Sequence, residues 1–121
     1  LRLHSRFDPD GEQTIQRVLD DVRASLSVAE SPTYNRFQHA FSHIFAGGYA
    51  AGYYGYLWAE VLSADAFGAF EESGIFDSAT GQAFLNEVLE KGGVESPLDL
   101  FAAFRGRVPG IDALLHQSGL A

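Results

Sequence analysis

The sequence predicts an all-α fold, and three observations carry that prediction. Apolar residues recur at helical spacing in several separate runs, caps and stop signals bound those runs, and no stretch alternates with period two between hairpin turns. Leu1 to Arg6 reads as the tail of a helix, broken by Asp8-Pro9-Asp10-Gly11. From Gln13 onward, Ile15, Val18, Leu19, Val22 and Leu26 form an amphipathic stripe, with Asp10 as the expected N-cap and Ser31-Pro32 as the stop. Thr33 to His43 is a less regular connector carrying Tyr34, Phe37 and Phe41. A long helix is then expected beyond a Gly47-Gly48 hinge, running to about Phe70 and closed by Gly74. Tyr54, Leu57, Val61 and Leu62 are assigned to its core side.

The next helix takes Asp77 or Ser78 as its N-cap, uses Phe84, Leu85, Val88 and Leu89 as its apolar face, and stops at Gly92-Gly93. Ser96-Pro97-Leu98-Asp99 then places Ser at N-cap, Pro at N1 and an acid at N3, the signature of a helix start. That short helix carries Leu100, Phe101 and Phe104 and ends by Gly106. A last helix, opened by Pro109, carries Ile111, Leu114 and Leu115 and ends near Gly119. No internal repeat is visible.

At 121 residues the chain suffices for one domain with a modest core and is too short for two. Its formal net charge of −8 argues against nucleic acid or an anionic membrane as partner. Cysteine is absent, which excludes disulfides and thiolate chemistry. Methionine is absent as well, and the chain begins Leu1-Arg2-Leu3-His4 without a signal-peptide or transit-peptide pattern, so it is read as a piece of a longer protein with half of its site expected upstream.

The stretch FSHIFAGGYAAGYYGYLWA, from Phe41 to Ala59, holds four of the five tyrosines and the only tryptophan. If a helix begins near Tyr49, then Tyr49, Tyr53 and Tyr56 share one face. A core would use Leu or Phe there, because a buried hydroxyl must find a partner. Phenols on a rigid helix can donate hydrogen bonds to a developing oxyanion, and a glycine-rich entry could close that face over a bound chain. Half-buried interface tyrosines with solvated hydroxyls satisfy the same spacing. His43 is equally balanced between a structural hydrogen bond and a polar site group.

Other chemistries find less support. His39 and His43 have the spacing of a helical metal pair, but no H-E-x-x-H occurs, so no metal ligands are assigned to this chain. Tyr-Ala-Ala follows the paired glycines where a P-loop needs Lys and Ser or Thr, and no G-x-S-x-G is present. The uncharged run Ile44 to Ala59 is shorter than the ~20 residues a bilayer requires, so no membrane partner is expected.

H-I-F-A-G-G-Y-A-A-G-Y-Y-G-Y-L-W resembles the C-terminal catalytic region of the thimet oligopeptidase and oligopeptidase A family of zinc metallopeptidases. The likeness extends over nearly the whole chain, through LRLH at Leu1 to His4, Tyr34-Asn35-Arg36-Phe37, Gly92-Gly93, Arg105-Gly106-Arg107 and Asp112-Ala113-Leu114-Leu115. Phe45 before Ala46-Gly47-Gly48 is more similar to the bacterial oligopeptidase A branch. The resemblance implies a helical segment of a larger, mostly helical peptidase domain in which residues 1–121 form a single C-terminal segment. It implies short peptides as substrates, with zinc and the activating glutamate held by the upstream half of the same polypeptide and no zinc bound by this chain alone. Tyr56 would donate to the oxyanion, with His43 supporting it or the substrate backbone. Tyr49 and Tyr53 would line the substrate channel, and Gly47-Gly48 would form the loop that grips the peptide. The isolated segment is expected to be inactive. A cytoplasmic location follows from the family, and an aromatic face without its partner half would favour self-association of the fragment. The competing reading is a non-catalytic helical module that keeps the scaffold and binds peptides or a partner helix.

Overall fold

The computed structural model describes residues 1–6, 8–11 and 14–121, and among these every regular element is helical. The chain divides into two units, Leu1–Tyr54 and Gly55–Ala121.

The first unit contains α1 (Arg2–Ser5), α2 (Ile15–Leu26), α3 (Phe37–Ala40) and a 3₁₀ turn (Ser42–Ile44). Of the stripe on α2, Val18 is buried while Ile15 and Leu26 at its two ends are exposed, and Arg2 on α1 reaches Asp21 on α2 at 3.2 Å. The cap of α2 differs from expectation. Thr14 occupies it, its hydroxyl accepting from the Arg17 amide at 3.2 Å. Asp10 lies four residues too early to reach the first-turn amides. It belongs instead to a turn in which its own amide donates to Asp8 Oδ1 at 3.1 Å. The expected start at Gln13 lies outside the described residues. The connector is more ordered than its composition suggests, since Asn35 Oδ1 accepts from the Phe37 amide at 2.8 Å and opens α3.

The second unit is organised on α4 (Gly55–Ser73), against which α5 (Ser78–Phe84), α6 (Pro97–Arg105) and α7 (Asp112–Gln117) pack. Val61, Ala64, Asp65 and Gly68, at i, i+3, i+4 and i+7, form the buried stripe of α4. Leu100 and Phe101 of α6 are buried too. Phe84 lies 5.2 Å from Phe104 and 6.1 Å from Phe70, ring centre to ring centre, tying α4, α5 and α6 together. Leu100 and Phe101, at 4% and 5% exposed, each contribute roughly 1.5–3 kcal/mol, and the half-buried phenylalanines less. Tyr54 and Leu57, expected on the core side, are exposed, whereas Val61 is buried. The buried stripe lies on the later turns of α4, where α6 and α7 are held, and leaves its first turns outside.

Local chemistry sets the ends of these helices. Gly74, with φ +117°, donates to the Phe70 carbonyl at 2.8 Å and closes α4, and Asp77 caps α5 by accepting from the Thr80 amide at 2.7 Å. These amide bonds hold the Asp77 carboxyl below its ordinary value. The helix after Phe84 loosens into a π turn (Leu85–Leu89), with Glu90 donating to the Leu85 carbonyl. That wider turn rotates less per residue, so Leu85 and Leu89 leave the expected apolar face and are exposed. Ser96 caps α6 through its carbonyl, which accepts from the Asp99 and Leu100 amides, and not through its side chain. Among the described residues no helix is long and apolar enough to cross a membrane.

Gly68 tests the packing. A Cβ there meets only Arg105 Nη2 at 3.7 Å, an ordinary contact. Gly68→Ala is therefore expected to raise the unfolding free energy by about 0.5–1 kcal/mol in a denaturant titration. A lowered midpoint would show that the methyl displaces the Arg105 guanidinium.

Candidate functional site

The tyrosine stretch folds in two parts. From Phe45 to Tyr54 the chain turns repeatedly, with Gly47 at φ +72°, Gly48 at φ +80° and Ala51 at φ +55°. Left-handed residues cannot be absorbed into a right-handed helix, so α4 begins only at Gly55. The expected helical face of Tyr49, Tyr53 and Tyr56 is therefore not formed. Tyr49 and Tyr53 sit in the turns of the first unit, and Tyr56 lies in the first turn of α4 in the second.

The turns nonetheless bring two of these three tyrosines, Tyr49 and Tyr53, together with His43. The His43 imidazole lies 5.4 Å from the Tyr49 ring and 6.2 Å from the Tyr53 ring, centre to centre, and the two phenol rings meet edge-on at 6.5 Å. Phe41 underlies the group, 4.7 Å from Tyr53 in an edge-to-face contact, and is itself stacked on Phe37 at 4.7 Å. Edge-to-face and offset pairs of this kind add about 0.5–1.5 kcal/mol each beyond burial. The connector aromatics Phe37 and Phe41 thus support the site. Their sequence signal was only the i, i+4 spacing leading into His43. Gly47 and Gly48 border this group, and Tyr56, 46% exposed, projects from the start of α4 beside Leu57 and Trp58, which are exposed as well.

Gly47 has two reasons to be glycine. Its φ costs an L-residue roughly 1–2 kcal/mol, and a Cβ would stand 3.3 Å from Tyr49 Cδ2 and Cε2. Gly48 shares the first reason only, with nothing within 4 Å of its Cβ position. Gly47→Ala is expected to shift the Tyr49 ring resonances in an NMR spectrum, while Gly48→Ala destabilises comparably and leaves them in place. Equal ring shifts in both variants would contradict this contact.

A second polar constellation lies on the buried face of α4. Asp65, 2% exposed, accepts from Arg107 Nη1 at 2.7 Å and from Nη2 at 2.5 Å, and its Oδ2 also accepts from the Gly110 amide at 2.8 Å. Arg105 Nε stands 3.5 Å from Asp65 Oδ1, while the Arg105 fork holds Glu72 at 2.8 and 3.0 Å. Burial pushes the Asp65 carboxyl up, but the Arg107 hydrogen bonds, the Gly110 amide and the two guanidinium charges outweigh it and hold the group below its ordinary value. The bonds to Arg105 lower Glu72 likewise. Among the described residues no group of three or more His, Asp or Glu side chains is placed to hold a metal ion.

Comparison with known proteins places the chain in a family. The model of Peptidase family M3 matches residues 1–120. Oligopeptidase A of Escherichia coli (strain K12) is 56% identical over 120 residues, covering 99% of this chain and 18% of the relative. Oligopeptidase A of Haemophilus influenzae is 54% identical with the same coverage, and the probable cytosolic oligopeptidase A of Arabidopsis thaliana is 50% identical over 124 residues, again 99% of this chain and 18% of the relative. The chain thus spans about a fifth of the length of these relatives. With its helical architecture and a match running nearly end to end, this chain belongs to Peptidase family M3.

Proposed function

We propose that these residues form the C-terminal part of a zinc-dependent oligopeptidase that hydrolyses short peptides, and that they supply its oxyanion-stabilising and substrate-binding groups. The gathering of His43, Tyr49 and Tyr53 around the Gly47-Gly48 turn supports this reading most. Phenols and an imidazole grouped in this way have the chemistry to hydrogen-bond an extended peptide backbone without selecting its side chains. The glycines let the main chain approach closely. Tyr56 takes the role of oxyanion donor, its hydroxyl donating to the carbonyl oxygen as negative charge develops there. His43 supports that oxygen or the adjacent backbone, and Tyr49 and Tyr53 line the peptide's path.

The phenols and imidazole gathered here do not fit a zinc ligand set. On this reading zinc, which supplies Lewis-acid and water-activating chemistry when bound, is held by another part of the same polypeptide. No step is routed through it. A cytoplasmic setting accords with short peptides as substrates.

Hydrolysis of a fluorogenic short peptide, measured with and without added zinc, tests the division of labour. The purified 121-residue chain is expected to show no turnover above the metal-free control, while the full-length peptidase turns over. Zinc-dependent turnover by the chain alone would overturn the proposal.

A further inference from the structure

Asp65 is a poor choice for stability alone. Aspartate is among the weaker helix formers, and burying its carboxylate costs several kcal/mol before any partner is found. An apolar pair at such a position often matches or exceeds the ion pair in stability. What the ion pair supplies is geometry. Two parallel bonds from Arg107 fix the carboxylate's plane and distance, and the Gly110 amide fixes its remaining direction. Arg105 and Arg107 flank Gly106, which ends α6 in the left-handed conformation at φ +72°, so both guanidiniums are delivered from one tight turn. The connector between α6 and α7 is thereby clamped to one point on α4.

Tyr56 lies nine residues before Asp65 on α4, a separation of ~13.5 Å along the axis and about half a turn around it. The helix between them has no proline to absorb a rotation. A roll of ~10° at the clamp would move a group at the helix's outer radius by ~1 Å. A misplacement of that size costs on the order of 10²-fold in rate. We infer that Asp65, held by Arg107 and the Gly110 amide, is a positioning residue that sets the roll of α4 and so the place from which the Tyr56 hydroxyl is presented. The inference rests on the reading of Tyr56 as the oxyanion donor.

A double-mutant cycle in the full-length peptidase carrying this segment tests it, comparing the parent, Tyr56→Phe, Asp65→Asn and the double variant. Asp65→Asn is expected to lower kcat roughly tenfold or more with KM little changed, and to add less than about twofold in the Tyr56→Phe background. The same independent factor in both backgrounds would overturn the inference, as would an unchanged kcat for folded Asp65→Asn. An unchanged kcat for Tyr56→Phe would instead remove the oxyanion reading, and the inference with it, by a different signature. Arg107→Lys keeps the charge and loses the fork, so it carries the same test if Asp65→Asn does not fold. A kcat loss that disappears with Tyr56→Phe supports positioning, and one that persists contradicts it.

Discussion

Tyr56→Phe in the full-length peptidase is expected to lower kcat by about 10²–10³ while leaving KM within a few-fold. The change removes one oxygen and leaves the ring, so the position of Tyr56 in the first turn of α4 and its exposed setting are retained. The loss falls on kcat because a phenol donor gains most when the carbonyl oxygen acquires full negative charge, and in the ground state water or a weaker contact serves nearly as well. Steady-state kinetics on one short peptide separates the possibilities. A rise in KM at constant kcat would reduce Tyr56 to a substrate contact. His43→Gln is expected to have a smaller effect than Tyr56→Phe, since the role proposed for the imidazole is to support the oxygen or backbone and not to carry the principal bond.

Arg107→Ala is expected to lower the unfolding free energy of the chain by about 2–3 kcal/mol, read from a urea titration. The variant leaves a buried carboxylate with only the Gly110 amide and the more distant Arg105 Nε. Arg107 is itself 48% exposed, so solvent can partly replace it, and the loss falls short of a fully interior pair. Arg107→Lys, with charge but no fork, should fall between the two. The pH dependence follows from the depressed folded-state value of Asp65, whose ordinary value is 3.8. Below the folded-state value both folded and unfolded chains are protonated and the contribution vanishes. Above 3.8 both are ionised and it is fully present. Stability is therefore lost as pH falls from 3.8 through the lower folded-state value, and the depressed Glu72 and Asp77 add to the same acid limb. Arg107→Ala should flatten that limb, and an unchanged acid transition would show that the Asp65 pair does not control it.

The fold was legible where short-range chemistry decided it. The stripe on α2, the Asp77 cap, Pro97 at the start of α6 and the left-handed Gly106 all act within one or two turns, and each appears near its expected position. Legibility failed between Phe45 and Tyr54 for a physical reason. Three left-handed residues, one of them Ala51, interrupt a stretch whose aromatic spacing is equally compatible with a helix. His43, Tyr49 and Tyr53 still come together, because they are close in sequence and turns gather such residues as readily as a helix face does, whereas Tyr56 belongs to α4. The Asp65 clamp could not be read in the same way, since its partners lie 42 and 45 residues downstream. Its only local trace was the Arg105-Gly106-Arg107 triplet, whose purpose emerges once Gly106 turns both guanidiniums toward α4.

On the proposed function Tyr56 recognises the tetrahedral state and not the substrate. A phosphinic peptide, which carries an anionic tetrahedral centre in place of the scissile amide, probes that state directly. Its inhibition constant should be measured for the parent full-length peptidase and for Tyr56→Phe, alongside KM for the matching substrate. The variant is expected to lose affinity for the phosphinic peptide by about 10²-fold or more while KM stays nearly constant. Equal small changes in both constants would contradict it.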